Sequence, residues 1–64
     1  MWVRMRDKPD LKQFGSYRVR WRIGVNSAGD DEYEEWVAKF VKSWFYDSED
    51  DPTHISDIDE VWIG

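Results

Sequence analysis

The side chains most able to do chemistry in this sequence are carboxylates, and they gather in two short segments. The first group is Asp30, Asp31, Glu32, Glu34 and Glu35, and the second group is Asp47, Glu49, Asp50 and Asp51. Carboxylates can bind calcium, exchange protons with a substrate or present negative charge to a partner. The residues around them decide between these kinds of chemistry.

The residues around the carboxylates do not match known metal-binding or catalytic motifs. The segment Asp47 to Asp51 lacks the glycine and the final glutamate of an EF-hand loop. The chain has no cysteine and only one histidine, His54, which excludes thiolate and histidine-cluster metal sites. His54 is close in sequence to Asp57 and Asp59, but the chain has no nucleophile motif and no phosphate-binding glycine loop. We therefore expect no catalytic residue, no metal and no cofactor, and predict that the protein is not an enzyme.

Charge is sorted along the chain. Residues 1 to 25 carry seven cations and two anions, a local charge of +5, whereas residues 26 to 64 carry two cations and twelve anions, a local charge of −10. Together they give the formal net charge of −5. Such sorting is typical of electrostatic recognition, so we expect the function to be binding.

The cations of the first half offer an alternative binding face. If the first two strands paired, six residues would share the solvent side: Trp2, Arg4, Arg6, Arg18, Arg20 and Arg22. Arginines beside an aromatic platform are typical of proteins that bind single-stranded nucleic acid. Asp57, Asp59 or Glu60 on a neighbouring strand could instead pair with these arginines. The negative net charge favours this internal pairing, because a long-range negative field opposes the approach of phosphates.

The length of 64 residues predicts one domain, residues 1 to 64, with a small core. Five tryptophans, three tyrosines and three phenylalanines must supply most of that core. No apolar run approaches the length of about 20 residues that a membrane helix needs. The first residues alternate in character and lack the apolar stretch of a signal peptide. We therefore expect a cytoplasmic protein that does not enter a membrane.

Period-two alternation predicts two strands in the first half. Trp2 to Arg6 alternates, and Asp7 to Gly15, which contains a proline, predicts a loop. Tyr17 to Val25 alternates five apolar residues with three arginines, which is typical of a strand with one buried face. The turn-forming residues Asn26 to Gly29 then end that strand.

From Asp30 onward the apolar period becomes that of a helix. Six residues form one helical stripe: Tyr33, Trp36, Val37, Phe40, Val41 and Trp44. Asp31 and Glu34 resemble a capping box at its start. A helix of about 16 residues would hold the two carboxylate groups roughly 24 Å apart. A strand over Trp36 to Tyr46 is the alternative, but Val37, Lys39 and Val41 interrupt its alternation.

The rest of the chain predicts an exposed loop and a last strand. Asp47 to Asp51 is acidic and ends at a proline, and Thr53 to Ile63 is a weak strand region that suits a place beside the first strand. The element order is therefore ββαβ. It predicts an α+β fold, with a small antiparallel or mixed sheet of about three strands and one amphipathic helix on one face.

Several segments resemble proteins encoded by bacteriophages and prophages. The segments are Met1-Trp2-Val3, Gly15-Ser16-Tyr17-Arg18-Val19, Trp44-Phe45-Tyr46 and Thr53-His54-Ile55. They resemble a phage domain of unknown function that has a Gly-x-Tyr strand and a closing Thr-His-Trp segment, although this chain has Ile55 in place of the tryptophan. A short, cysteine-free, acidic and tryptophan-rich chain also resembles the anti-restriction and anti-CRISPR inhibitors that imitate DNA. The resemblance implies a phage origin and a bacterial host cell, and it implies no role for any residue.

We predict a phage inhibitor that acts in host takeover as a DNA mimic. It would occlude the basic nucleic-acid-binding surface of a host protein, as a monomer or homodimer, without binding nucleic acid itself. The predicted partner-binding residues are Asp30, Asp31, Glu32, Glu34, Glu35, Tyr46, Asp47, Glu49, Asp50 and Asp51. The alternatives are a small single-stranded nucleic-acid-binding protein that uses the arginine face, and a structural or assembly subunit.

Overall fold

Six antiparallel strands form the fold, and α-helix is absent. The computed structural model describes all residues from 1 to 64. The strands are β1 (Trp2–Arg4), β2 (Ser16–Val25), β3 (Asp31–Val41), β4 (Trp44–Tyr46), β5 (Pro52–His54) and β6 (Glu60–Trp62). Two 3-10 turns, Met5–Asp7 and Ile55–Asp57, are the only helical elements. The strands lie side by side in the order β1-β6-β2-β3-β4-β5.

The predicted helix after Asp30 is wrong, and with it the α+β fold class. The segment is strand β3, which pairs along β2 with Ala38 opposite Tyr17 and Trp36 opposite Val19. Trp36, Ala38 and Phe40 are every second residue of β3 and lie on the same side of the sheet. This period of two is easy to miss in the sequence, because alanine is not counted among the large apolar residues. Aromatic and β-branched residues favour strands, and pairing with the long strand β2 satisfies the backbone groups on one side of β3.

The first two predicted strands do not pair with each other, because β6 lies between them. Val61 of β6 faces Val3 of β1 on one side and Val19 of β2 on the other. The predicted strand region Thr53 to Ile63 is divided into the end of β5, a 3-10 turn and β6. Only β6 lies beside the first strand, as expected for the last strand. In the next row across the sheet, Glu60 separates Arg4 from Arg20.

The core occupies one face of the sheet. Its six buried residues are Val19, Ala38, Phe40, Phe45, Ile58 and Val61. The Phe40 and Phe45 rings pack with their centroids 5.1 Å apart. The chain passes from β5 at one edge of the sheet to β6 near the other edge, and this passage buries Ile58 against the core. Half-buried Tyr17, Trp21 and Trp36 extend the small core at its margin.

Side chains order both of the longer hairpin turns. Asn26 Oδ1 accepts hydrogen bonds from the backbone N–H groups of Ala28 and Asp30 in the β2–β3 turn, which confirms the turn predicted there. Strand β2 bulges between Arg22 and Gly24, just before that turn. The β4–β5 turn is the exposed acidic loop predicted for residues 47 to 51.

Candidate acidic binding groove

Arg20 is held within the solvent-facing side of the sheet. Its Nε and Nη2 atoms both donate hydrogen bonds to Glu60 Oε1, at 3.1 and 2.9 Å. The guanidinium carbon lies 4.2 Å from the Trp2 ring centroid and 3.9 Å from the Tyr33 ring centroid. Arg20 therefore already makes an ion pair with Glu60 and stacks on two aromatic rings. These interactions oppose a rearrangement of the Arg20 side chain toward a phosphate.

The other two arginines of β2 also have carboxylate partners. Arg18 Nη2 lies 2.5 Å from Glu35 Oε1, and Arg22 Nε lies 3.0 Å from Asp31 Oδ1. Asp59, one of the carboxylates expected to pair with an arginine side chain, instead accepts a hydrogen bond from the backbone N–H of Arg22. Two carboxylates of the first acidic group are thus committed to neutralising β2.

Two further arginines of the predicted face, Arg4 and Arg6, make no ion pair. Neither has a carboxylate within ion-pair distance, and the same is true of Lys8. These three cations and Arg22 line a groove of about 860 Å³ that also includes His54 and the carboxylates of Asp59 and Glu60. We call this the cationic groove. The six-residue face predicted from the sequence is therefore divided into a paired part and a free part.

A second groove, of about 640 Å³, brings residues of the two carboxylate groups together. Strand β3 contributes Glu34, and the β4–β5 loop contributes three further carboxylates. We call it the acidic groove, and its principal residues are Trp21, Glu34, Trp36, Asp47, Glu49 and Asp51. The separation of about 24 Å expected from a helix is wrong, because the β4–β5 hairpin folds back beside β3.

Tryptophan side chains form the apolar part of the acidic groove. The Trp21 and Trp36 rings meet edge to face, with centroids 4.8 Å apart and planes at 67°. Trp21 Nε1 donates a hydrogen bond of 3.1 Å to Glu34 Oε2. A carboxylate is therefore fixed beside two aromatic rings, an arrangement that suits a cationic side chain of a partner.

Asp47, the first carboxylate of the β4–β5 loop, orders the loop side of the acidic groove. Asp47 Oδ1 accepts hydrogen bonds from the backbone N–H groups of Glu49 and Asp51, at 2.8 and 3.0 Å. Asp50 adopts a positive φ of 60° within the same turn. Asp47 therefore shapes the loop, whereas the side chains of Glu49 and Asp51 have no hydrogen-bond partner within the chain.

The structure brings together four of the ten predicted partner-binding residues: Glu34, Asp47, Glu49 and Asp51. Asp30 and Glu32 are exposed on the β2–β3 hairpin outside the groove, and Asp50 does not line it.

Tyr46, the predicted aromatic contact, pairs with Lys39 away from the groove. Trp21 and Trp36 are the aromatic residues that line the groove. Sequence reasoning misses both as site residues because it assigns them to the core. The signal that could find them is strand alternation, which places Trp36 two residues from Glu34 on the same side of β3.

No group of three or more His, Asp or Glu side chains could hold a metal ion. No helix of the protein is long and apolar enough to span a membrane. Comparisons with protein-family models, with curated proteins and with solved structures found no match for this chain. The resemblance to phage inhibitors therefore stays a prediction. The fold is that of a small antiparallel β protein, and its surface carries an acidic groove with two tryptophans.

Proposed function

We propose that this protein is an acidic inhibitor of phage type that occupies the basic nucleic-acid-binding surface of a host protein. The observation that carries the proposal is the acidic groove, where unpaired Glu49 and Asp51 lie near two tryptophans. A basic surface that binds phosphates offers lysine and arginine side chains, and carboxylates can take the place of those phosphates.

Inhibition would be competitive. Negative charge speeds the encounter with a basic surface, and this steering weakens as salt concentration rises. Trp21 and Trp36 supply the fixed aromatic area on which an arginine or lysine of the target can stack. Nucleic acid would then be excluded because the groove residues cover the cations that it needs.

Neutralising the groove tests this function. The triple variant E34Q/E49Q/D51N changes the formal net charge from −5 to −2. We expect the wild-type protein to capture a nucleic-acid-binding protein from bacterial lysate, and duplex DNA to release that protein. The triple variant should lose capture, because its groove no longer offers charge to a basic surface.

The matched control is D7N/D10N/D57N, which has the same net charge but changes exposed carboxylates outside the acidic groove. It should capture the target as the wild type does. Equal loss in both variants would show that only net charge matters. Capture that duplex DNA cannot reverse would show that the protein does not compete with nucleic acid.

The cationic groove supports a second candidate, the binding of single-stranded nucleic acid. Arg4, Arg6 and Lys8 lie together without carboxylate partners. Phosphate contacts of this kind supply most of the affinity of sequence-independent binders. Retention of a single-stranded oligonucleotide at low salt is the test of this candidate.

A further inference from the structure

One edge of strand β3 is covered by another strand only at its end. Strand β2 pairs with β3 from Asp31 to Lys39 on one side. On the other side β4 pairs only with residues 39 to 41. The acidic loop between β4 and β5 makes no backbone hydrogen bond to β3. From Asp31 to Val37 the outer edge of β3 therefore has no strand partner, and its last residues face the β4–β5 loop across the acidic groove. We call this the open edge.

The hydrogen bonds at the far end of β3 identify the backbone groups that face this edge. Phe40 N–H donates to the carbonyl of Gly15, and the carbonyl of Phe40 accepts from Phe14 N–H, so both groups of Phe40 point toward the β2 side. Successive residues of a strand direct these groups to alternate sides. Tyr33 and Glu35 therefore present N–H and C=O groups to the open edge, which is a template for another strand.

The side chains along this edge are acidic and therefore favour an added strand with positive charge. Glu32 and Glu34 lie on the side of β3 that includes the acidic groove, and Glu49 lies across that groove. A second copy paired antiparallel about Tyr33 would place Glu32 opposite Glu34 of the other copy, and like charges directly opposite are destabilising. Charge complementarity therefore favours a basic strand over self-association.

We propose that the open edge of β3 binds an extended, lysine- or arginine-rich segment of the partner as a seventh, antiparallel strand. This inference rests on the proposed function and specifies how the acidic groove holds its target. Backbone hydrogen bonds to Tyr33 and Glu35 would provide affinity. Basic side chains at alternate positions, opposite Glu32 and Glu34, would provide specificity.

A synthetic peptide of alternating threonine and lysine, about seven residues long to match the open edge, is the probe. With its lysines opposite Glu32 and Glu34, its threonines lie opposite Tyr33 and Glu35 and turn their N–H groups toward β3. N-methylation of the threonines removes these donors, whereas N-methylation of the lysines changes amides that face solvent. Both methylated peptides keep the same charge.

Calorimetry should give about tenfold or greater loss of affinity for the threonine-methylated peptide, since two or more backbone hydrogen bonds are lost. The lysine-methylated peptide should bind as the unmodified peptide does. Equal binding of the two methylated peptides would overturn strand addition and leave the proposed function standing. Failure of all three peptides to bind would also overturn strand addition, whereas the proposed function is decided by capture from lysate and release by duplex DNA.

A protein variant tests the same edge from the other side. Glu35→Pro removes the outward N–H of β3, while Glu35→Gln keeps it, and both remove the ion pair with Arg18. Relative to Glu35→Gln, the proline variant should bind the unmodified peptide about tenfold more weakly. Equal affinity of two folded variants would contradict the proposal. If the proline variant does not fold, the methylated peptides still decide the question.

Discussion

Arg18 and Arg20 lie on the same face of β2, but their ion pairs differ in exposure to solvent. The side chains of Arg20 and Glu60 are 20% and 17% exposed, whereas those of Arg18 and Glu35 are 53% and 43% exposed. Arg20 also stacks on aromatic rings from two other strands. Water screens the Arg18 pair far more than the Arg20 pair, so the two ion pairs should differ in their contribution to stability.

Double-mutant cycles should detect this difference. For Arg20→Met and Glu60→Gln we expect a coupling free energy of about 1–3 kcal/mol, because the pair is partly buried and doubly hydrogen-bonded. For Arg18→Met and Glu35→Gln we expect less than about 1 kcal/mol, as for exposed ion pairs. Urea denaturation of the seven proteins in the two cycles, which share the wild type, measures both values. Equal coupling would mean that burial and stacking do not strengthen the Arg20 pair.

At the scale of the element, the strand β2 is predictable from sequence and the strand β3 is not. In β2 the alternation of arginines with Tyr17, Val19 and Trp21 leaves only a period of two. In β3 the residues from Tyr33 to Val41 fit a helical stripe as well as an alternating one, because Val37 and Val41 are apolar on the exposed side. Only the partner β2 resolves this ambiguity, and a partner strand is a tertiary interaction.

The candidate site is likewise predictable from the sequence only in part. The carboxylates of the acidic groove are evident in the sequence as charge, and so is the exposed loop that carries Glu49 and Asp51. Their approach to Glu34 depends on the β4–β5 hairpin, which replaces the expected helix end. The pairing of Arg20 with Glu60 depends on β6 lying between β1 and β2. Arg20 and Glu60 are 40 residues apart in the chain, so no local sequence pattern predicts their ion pair.

The β2–β3 hairpin offers a matched pair of glycines for testing its geometry. A Cβ atom at Gly24 or Gly29 would meet no atom within 4 Å, but only Gly29 has a positive φ, of 87°. Gly29→Ala should therefore destabilise the protein by about 1–2 kcal/mol, the cost of the left-handed region for a residue with a side chain.

Gly24→Ala should stabilise the protein by about 0.5–1 kcal/mol, because glycine weakens a strand interior through its backbone entropy. Thermal and urea denaturation of both variants provide the measurement. Destabilisation of the same size in both would mean that the turn does not hold Gly29 in the left-handed region.

At the scale of the whole molecule, internal pairing changes the distribution of charge and leaves the net charge unchanged. Three ion pairs use three of nine cations and three of fourteen carboxylates. Six cations and eleven carboxylates remain outside ion pairs. Some of these form the acidic groove, and Arg4, Arg6 and Lys8 form part of the cationic groove. The protein therefore carries two surfaces of opposite charge within a negative overall field.

This distribution predicts how the protein responds to nucleic acid. We expect no retention of a single-stranded oligonucleotide even at low salt, because the net charge of −5 repels phosphates where screening is weakest. Fluorescence anisotropy of a labelled oligonucleotide over a range of salt concentrations is the measurement. Retention would instead favour the cationic groove, provided that R4Q/R6Q/K8Q abolishes it. The variant K12Q/R18Q/K39Q has the same net charge and changes exposed cations outside that groove, so it distinguishes a local site from the overall field.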